Sequence, residues 1–486
     1  MFNLAQSVKP ALFSTFSLAK LSSFLERFKR TMSRKALFIL FVALAVALVP
    51  ALSTVQAQSR TVVTWFVGLG TGTSPDQIDT QNRLVEEFNA SQNEIELKIN
   101  IAASNTAAYD ALATLIASGD APDIVGPVGF VGANSFADAW LDLTPYVEKY
   151  GYNLEQFPQS LVDIYRSDAG LVGIPFAVFP ALLFYNKDLF DEAELAYPPN
   201  QFGAPYVLDG EEMAWDWDTL AKIAAILTVD VNGLTPDDEG FDSGQIRQFG
   251  FIQQWSILRA ELNTFGGYEF YDASTGKVTI PQHWRDQIAW THKGLWERHF
   301  IPSSTYEGSE LFQPSAFASG NVAMARVQLW YTCCIGDLKS NWDLAVVPSY
   351  NGQYHVPVDA DTFRITRSSK NPDAAFKVLE YLLGDAAGPL LQVYGGYPAR
   401  PDLQGPATET RAAAFPSVTD WSIVPASLEY AAAPGHESDF PNFAKGMQRF
   451  GDFRTLLYGD TGKEIDLEAE INKLEADLQA IVDEVK

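Results

Sequence analysis

The chain has 486 residues, 47% apolar and 13% aromatic. That is too long for one ordinary core and rich enough to bury a large area, so two domains are expected. A formal net charge of −26 repels phosphate backbones and anionic lipid, which speaks against nucleic-acid binding, and two adjacent cysteines, Cys333 and Cys334, exclude a disulfide-stapled scaffold by count.

The first 57 residues read as an export signal. Lys29, Arg30, Arg34 and Lys35 precede an apolar run over residues 36–49, Pro50 breaks it, and Val55-Gln56-Ala57 follows with small residues at the outer two positions. This is the charge, apolar, small-residue order of a secretory signal. The run is too short to span a bilayer comfortably as a helix. Cleavage is expected after Ala57, and Met32 is an alternative start. No cysteine follows the run to carry a lipid. Without residues 1–57 the chain holds 27 basic and 59 acidic residues, net −32. No later apolar stretch reaches membrane-spanning length, so an exported, soluble protein is expected.

Residues 61–67, β-branched and aromatic, read as a buried strand ended by Gly68. A loop rich in Gly, Thr and Ser follows, then a helix over 76–89 with Ile78, Leu84, Val85 and Phe88 able to share a face. Residues 95–101 alternate as a half-covered strand, 109–117 form a helix stopped by Gly119, and 123–125 form a short strand. This alternation predicts an α/β lobe. Further strands are expected at 182–185, 249–253, in the stretch ending at 325, and at 342–347. Helices are expected from 188 and over 217–227, 284–296, 373–383 and 464–485. In the last, Leu467, Ile471, Leu474, Leu478, Ile481 and Val485 line one packing face. Residues 228–241 are an Asp/Asn/Gly/Pro-rich insertion. Its Gly233 stands fourth rather than sixth from Asp230 and no glutamate stands twelfth, so a surface turn is expected rather than a calcium loop.

Six phrases occur in order: Ala117-Ser118-Gly119-Asp120-Ala121-Pro122-Asp123-Ile124; Phe136-Ala137-Asp138-Ala139-Trp140-Leu141-Asp142-Leu143-Thr144-Pro145-Tyr146; Gly173-Ile174-Pro175-Phe176; Leu183-Phe184-Tyr185-Asn186-Lys187-Asp188-Leu189-Phe190; Phe317-Ala318-Ser319-Gly320-Asn321-Val322-Ala323-Met324; and Ser369-Lys370-Asn371-Pro372-Asp373-Ala374-Ala375-Phe376. Together, across essentially all of the mature chain, they resemble the family 1 extracellular solute-binding proteins of ABC importers, the maltose-binding-protein-like family. The resemblance implies an α/β, two-lobed periplasmic-binding-protein-like fold (type II), with ligand in the cleft between hinge-linked lobes and closure read by the importer's membrane subunits. Carried over, the topology puts residues 58–177 and 349–395 in lobe 1 and residues 178–348 and 396–486 in lobe 2. The hinges then fall near Ala177-Val178, Pro348-Ser349 and Gly395-Gly396.

A sugar offers apolar C–H faces and a rim of hydroxyls, which aromatic rings and hydrogen-bonding side chains match. Ligands of α/β sheets bind beyond the carboxyl ends of strands. That criterion selects Gly70, Thr71 and Thr73 after the first strand, Phe130 after the strand at 123–125, Phe179 at the first hinge, and Trp255 after the strand at 249–253. It also selects Trp330 and Tyr331 after a strand ending at Leu329, with Asp361 and Tyr397 near the remaining crossings. Trp65, inside its strand, reads as core. Phe179 departs from maltose-binding protein, which places a carboxylate there, so the particular sugar is not inherited. Cys333 and Cys334 could pair as a vicinal disulfide that stiffens the loop after Trp330 and offers a sulfur face to the ligand, or remain two buried thiols. No catalytic residue, cofactor or metal is expected. The five histidines lack H-E-x-x-H spacing, and neither a G-x-S-x-G elbow nor a P-loop occurs. An exported carbohydrate-active enzyme, or a binder of a polyol, glycerophosphodiester or peptide, is the competing expectation to a monomeric sugar-binding component.

Overall fold

Strand β1 (Thr61–Val67) buries Val63, Trp65 and Val67 on one face and Phe66 on the other, so both faces are covered, as its apolar run requires. The computed structural model describes residues 60–486 apart from 168, 268–269, 337, 432–439 and 486. The expected export signal over residues 1–57 lies outside the described residues. Helix α1 (Pro75–Ser91) starts on a proline, β2 (Ile95–Ile101) pairs parallel with β1, and α2 (Asn105–Ser118) is capped by Ser104 and ended by Gly119 at φ +80°, where a residue without Cβ is favoured. β3 (Ile124–Val128) flanks β1 on its other side in parallel.

The middle of the chain supplies β4 (Ala177–Asn186), α3 (Trp217–Ile226), β5 (Val229–Asp230), β6 (Ile246–Gln253), α4 (Leu258–Leu262) and α5 (Gln282–Trp296). Then come β7 (Val322–Gln328), a 3₁₀ turn over Leu329–Cys334, β8 (Trp342–Ala345) and β9 (Val358–Ile365). The last part contributes α6 (Pro372–Leu383), α7 (Ala387–Tyr394), β10 (Tyr397–Pro398), α8 (Phe443–Tyr458) and α9 (Leu467–Asp483). Helix α9 stops at Asp483, so Val482 rather than the expected Val485 joins Ile471, Leu474 and Leu478 in the core, and Val485 is exposed.

The strand order is β2-β1-β3-β9-β4-β7-β6-β5, with β8 and β10 also on β4. β2, β1 and β3 are parallel, as are β6 and β7, and these two wings are joined by antiparallel strands. Two long strands make the joint. The first part of β4, residues 177–180, pairs with residues 361–358 of β9, while its remainder pairs with β7 and β8. The rest of β9 pairs with β3. β10 lies on Val178 and Ala177 as a third crossing segment. Every residue of β4 is buried, as its apolar sequence demands at the centre of a sheet covered on both faces. Ser349 stays with the second wing, bridged to Asp216, and Val356 is bridged to Ala431. Among the described residues no helix is long and apolar enough to cross a membrane.

Candidate ligand site

The ends of the parallel strands meet the crossing strands. Parallel pairing of β6 with β7 sets Gln253 opposite Arg326, which brings the segments following both strands side by side. Arg326 is buried; its Nη1 donates to Ser256 Oγ at 3.0 Å and its Nη2 to Ala260 O at 2.9 Å, tying down the turn that carries Trp255. That tryptophan is 55% exposed and has φ +48°, a left-handed backbone uncommon for a bulky residue. Its indole lies parallel to that of Trp330, centroids 6.2 Å apart and 7° between planes, and meets the edge of Tyr331 at 5.3 Å. A large tryptophan left open to solvent on a fixed turn beside a second, parallel one is a flat apolar platform.

The platform has a polar border. Trp330 Nε1 donates to Asp359 Oδ2 at 2.9 Å, and Gln328 Nε2 reaches Asp359 Oδ1 at 3.4 Å. Asp359 and Asp361 lie two apart in β9, hence on one face. A Cβ at Gly129 would come within 2.8 Å of Asp361 Oδ1, so this glycine is what lets the β3 end, with half-buried Phe130 next to it, approach the carboxylate. Burial, reinforced by the like charge of Asp359, pushes the Asp361 carboxyl up to about 7. Burial, and then Asp361, also raises the Tyr394 hydroxyl. That hydroxyl, Gln328 Oε1 and both side-chain polar atoms of Gln253 are buried without a hydrogen-bond partner among the described residues. Buried polar atoms are normally paired.

A pH-dependent stability follows. Because Asp361 is raised to about 7 in the folded chain against about 3.9 when unfolded, the native state holds a proton between those values that the unfolded chain has released. Its stability therefore falls as pH rises through that window, with the loss complete above the folded value. Asp361→Asn is expected to raise the melting temperature of the ligand-free protein above pH 7, by an amount that shrinks as pH falls toward 4; a difference independent of pH in thermal unfolding would contradict this.

The other residues selected from sequence occupy distinct surroundings. The Gly70–Thr73 loop (residues 70–73) is stitched to α1, α2 and the end of α7: Gln77 Nε2 donates to Thr71 Oγ1 at 3.0 Å and to Val393 O at 3.4 Å, Gln77 Oε1 accepts from Gly72 N at 2.8 Å, and Asn105 bonds both Gly70 O and Thr73 Oγ1. Phe179 is 3% exposed and sits under Gly396, whose Cβ position faces its ring at 3.5 Å. Tyr397 is 1% exposed, its ring under the Arg411 guanidinium and its hydroxyl on Thr408 Oγ1. Tyr331 is fully buried, sharing a 2.8 Å hydrogen bond with Ser315. Phe179 and Tyr397 pack the joint and Tyr331 packs the second wing against Phe184 and Phe317, whereas Trp255 and Trp330 lie together with Asp359, two residues from Asp361, on the Trp330 indole. Cys333 and Cys334 are exposed and joined as a vicinal disulfide on the 3₁₀ turn that carries Trp330. The same turn abuts the crossing, with Thr332 Oγ1 3.8 Å from where a Gly395 Cβ would be. Asp359, Gln328, Gln253 and Tyr394 were not singled out from sequence. Gln253 and Gln328 end β6 and β7, and the rule that ligands gather beyond strand ends would have reached both.

Two parallel-stranded wings joined by crossing strands, with an aromatic and carboxylate border where they meet, define an α/β solute-binding architecture. The profile of the bacterial extracellular solute-binding protein family matches residues 74–389, and the chain belongs to that family. It is 23% identical over 279 residues to the maltodextrin-binding protein MdxE of Bacillus subtilis, a match over 55% of this chain that spans only 58% of that relative's length. Its fold is that of the ABC substrate-binding protein Lmo0181 of Listeria monocytogenes, solved in complex with cycloalternan (TM-score 0.68, 20% identity, 87% of this chain and 99% of that one). It is likewise that of the sugar-binding protein MalE of Xanthomonas citri (TM-score 0.66, 18% identity, 87% and 98%).

Proposed function

We propose that this chain is the exported substrate-binding component of an ABC importer, a monomer that captures a sugar or oligosaccharide between its lobes and presents it to the membrane subunits. The observation that carries the reading is the parallel Trp255–Trp330 pair with its indole N–H fixed on Asp359: a flat face for sugar C–H groups with hydroxyl-seeking atoms at its edge. Family membership and the sugars named for similar structures support it. The lobes, on this reading, meet at Ala177–Pro180 (residues 177–180) and at residues 358–361, because there β4 and β9 leave one wing and enter the other. We place the second crossing in β9 and not at Pro348-Ser349, since Ser349 is bridged to Asp216 within the second wing. The third crossing remains at Gly395-Gly396.

Closure works by population shift: a sugar that touches both lobes stabilises the closed arrangement over the open one. The chain acts as a binder, with no catalytic residue assigned. The test is incubation with a panel of mono- and oligosaccharides. A bound sugar raises the melting temperature and is recovered intact by chromatography. Shortened products would instead mark an enzyme, and no shift across the panel would remove the sugar reading.

A further inference from the structure

The polar border of the platform carries two carboxylates, Asp359 and Asp361, on one face of β9. Asp359 is engaged by Trp330 Nε1 and Gln328 Nε2. Asp361, two residues on along the same face of β9, has one charged group acting on it, Asp359, and that charge is of like sign. Gln328, 3% exposed, turns its Nε2 to Asp359 and leaves Oε1 without a partner, and the Tyr394 hydroxyl is buried without one. The nearest arginine along the strand is occupied elsewhere: Arg364 Nη1 donates to Val172 O at 3.1 Å, and its guanidinium lies 5.6 Å from the ring centroids of both Trp140 and Tyr165.

A carboxylate shut away from water needs a counter-charge or must take up a proton. A ligand that covers Asp361 removes its remaining water. A hydroxyl brings one donor and no charge, whereas an ammonium brings three donors and the missing positive charge. The neighbouring indole faces attract the same group, since a cation over a tryptophan ring is favoured. The acidity of the whole chain, net −26, raises the local concentration of cations.

Resting on the sugar-binding reading above, we propose that the solute is an amino sugar, or a short oligomer containing one, with its ammonium on Asp361 and its ring face on the Trp255–Trp330 pair. Titration calorimetry at pH 7 with three trimers of one β-1,4-linked backbone tests this: the glucosamine trimer, the N-acetylglucosamine trimer and cellotriose. The glucosamine trimer is expected to bind at least about tenfold more tightly than either neutral one, as expected of a close charge pair in a closing cleft. In Asp361→Asn that ratio is expected to fall to within about twofold, because the variant keeps the shape and loses the charge. Equal or tighter binding of a neutral trimer overturns the amino-sugar assignment and leaves sugar binding standing. A preference that survives in the variant overturns the role of Asp361. Absence of binding by all three overturns the assignment, and the wider sugar panel then decides the broader reading on its own. The ratio measured on the unmodified protein decides the matter even where the variant does not fold.

Discussion

Trp330→Ala is expected to weaken binding of the best sugar ligand by about thirtyfold or more, the loss typical of truncating a buried aromatic anchor, about 2 kcal/mol. Two contributions disappear together: the indole face parallel to Trp255 and the N–H that holds Asp359 Oδ2 at 2.9 Å. Trp330→Phe separates them. It keeps an aromatic face and removes the N–H donor, so a smaller loss of about fivefold to tenfold is expected, the net value of one ordinary hydrogen bond. Calorimetric titration of both variants, with circular dichroism to establish that each is folded, makes the comparison. Affinity unchanged in Trp330→Ala would show that the platform is a packing feature and would take with it the observation on which the sugar reading stands.

The second large effect concerns stability. Glu261 in α4 is fully buried and accepts from Arg454 Nε at 2.8 Å and from the Tyr458 hydroxyl at 2.9 Å, both in α8. Arg454 also reaches Glu307 at 3.4 Å and stacks 4.0 Å over the Tyr458 ring. Glu261→Ala leaves Arg454 with only its longer Glu307 contact and strands the Tyr458 hydroxyl. Breaking one side of such a buried pair costs about 3–5 kcal/mol, so the urea midpoint is expected to fall steeply with the slope unchanged. Glu261→Gln retains an acceptor and should cost less. A loss below about 1 kcal/mol in Glu261→Ala would place this cluster among the exposed, weakly coupled ion pairs.

Much of the fold can be read along the chain because its signals are local. β1 and β2 begin and end where their β-branched runs do, and the helices that open on Pro75 and Pro372 start where proline is favoured. β9 escaped. Its sequence, Val358-Asp359-Ala360-Asp361-Thr362-Phe363-Arg364-Ile365, carries two aspartates, a residue type depleted from strands, and only pairing with β4 and β3 makes it one. The same strand carries both carboxylates of the candidate site, so the element hardest to see was the one bearing that chemistry. Phe179 and Tyr397 were selected for lying near crossings, but nearness along the chain does not say which way a ring turns. β4 and β10 bury both.

By itself, then, the sequence determined the family and the alternating α/β order, and it marked the strand ends that carry Trp255 and Trp330. All of these depend on residue type and spacing over a few turns of chain. Tertiary structure decided which of those residues meet. Trp255 and Trp330 are parallel because β6 and β7 pair in register, and Asp361, half-buried, is hard to ionise because folding strips much of its water beside Asp359. Contacts across such separations depend on how strands pair and on what is dehydrated, and neither is written in any local stretch of residues.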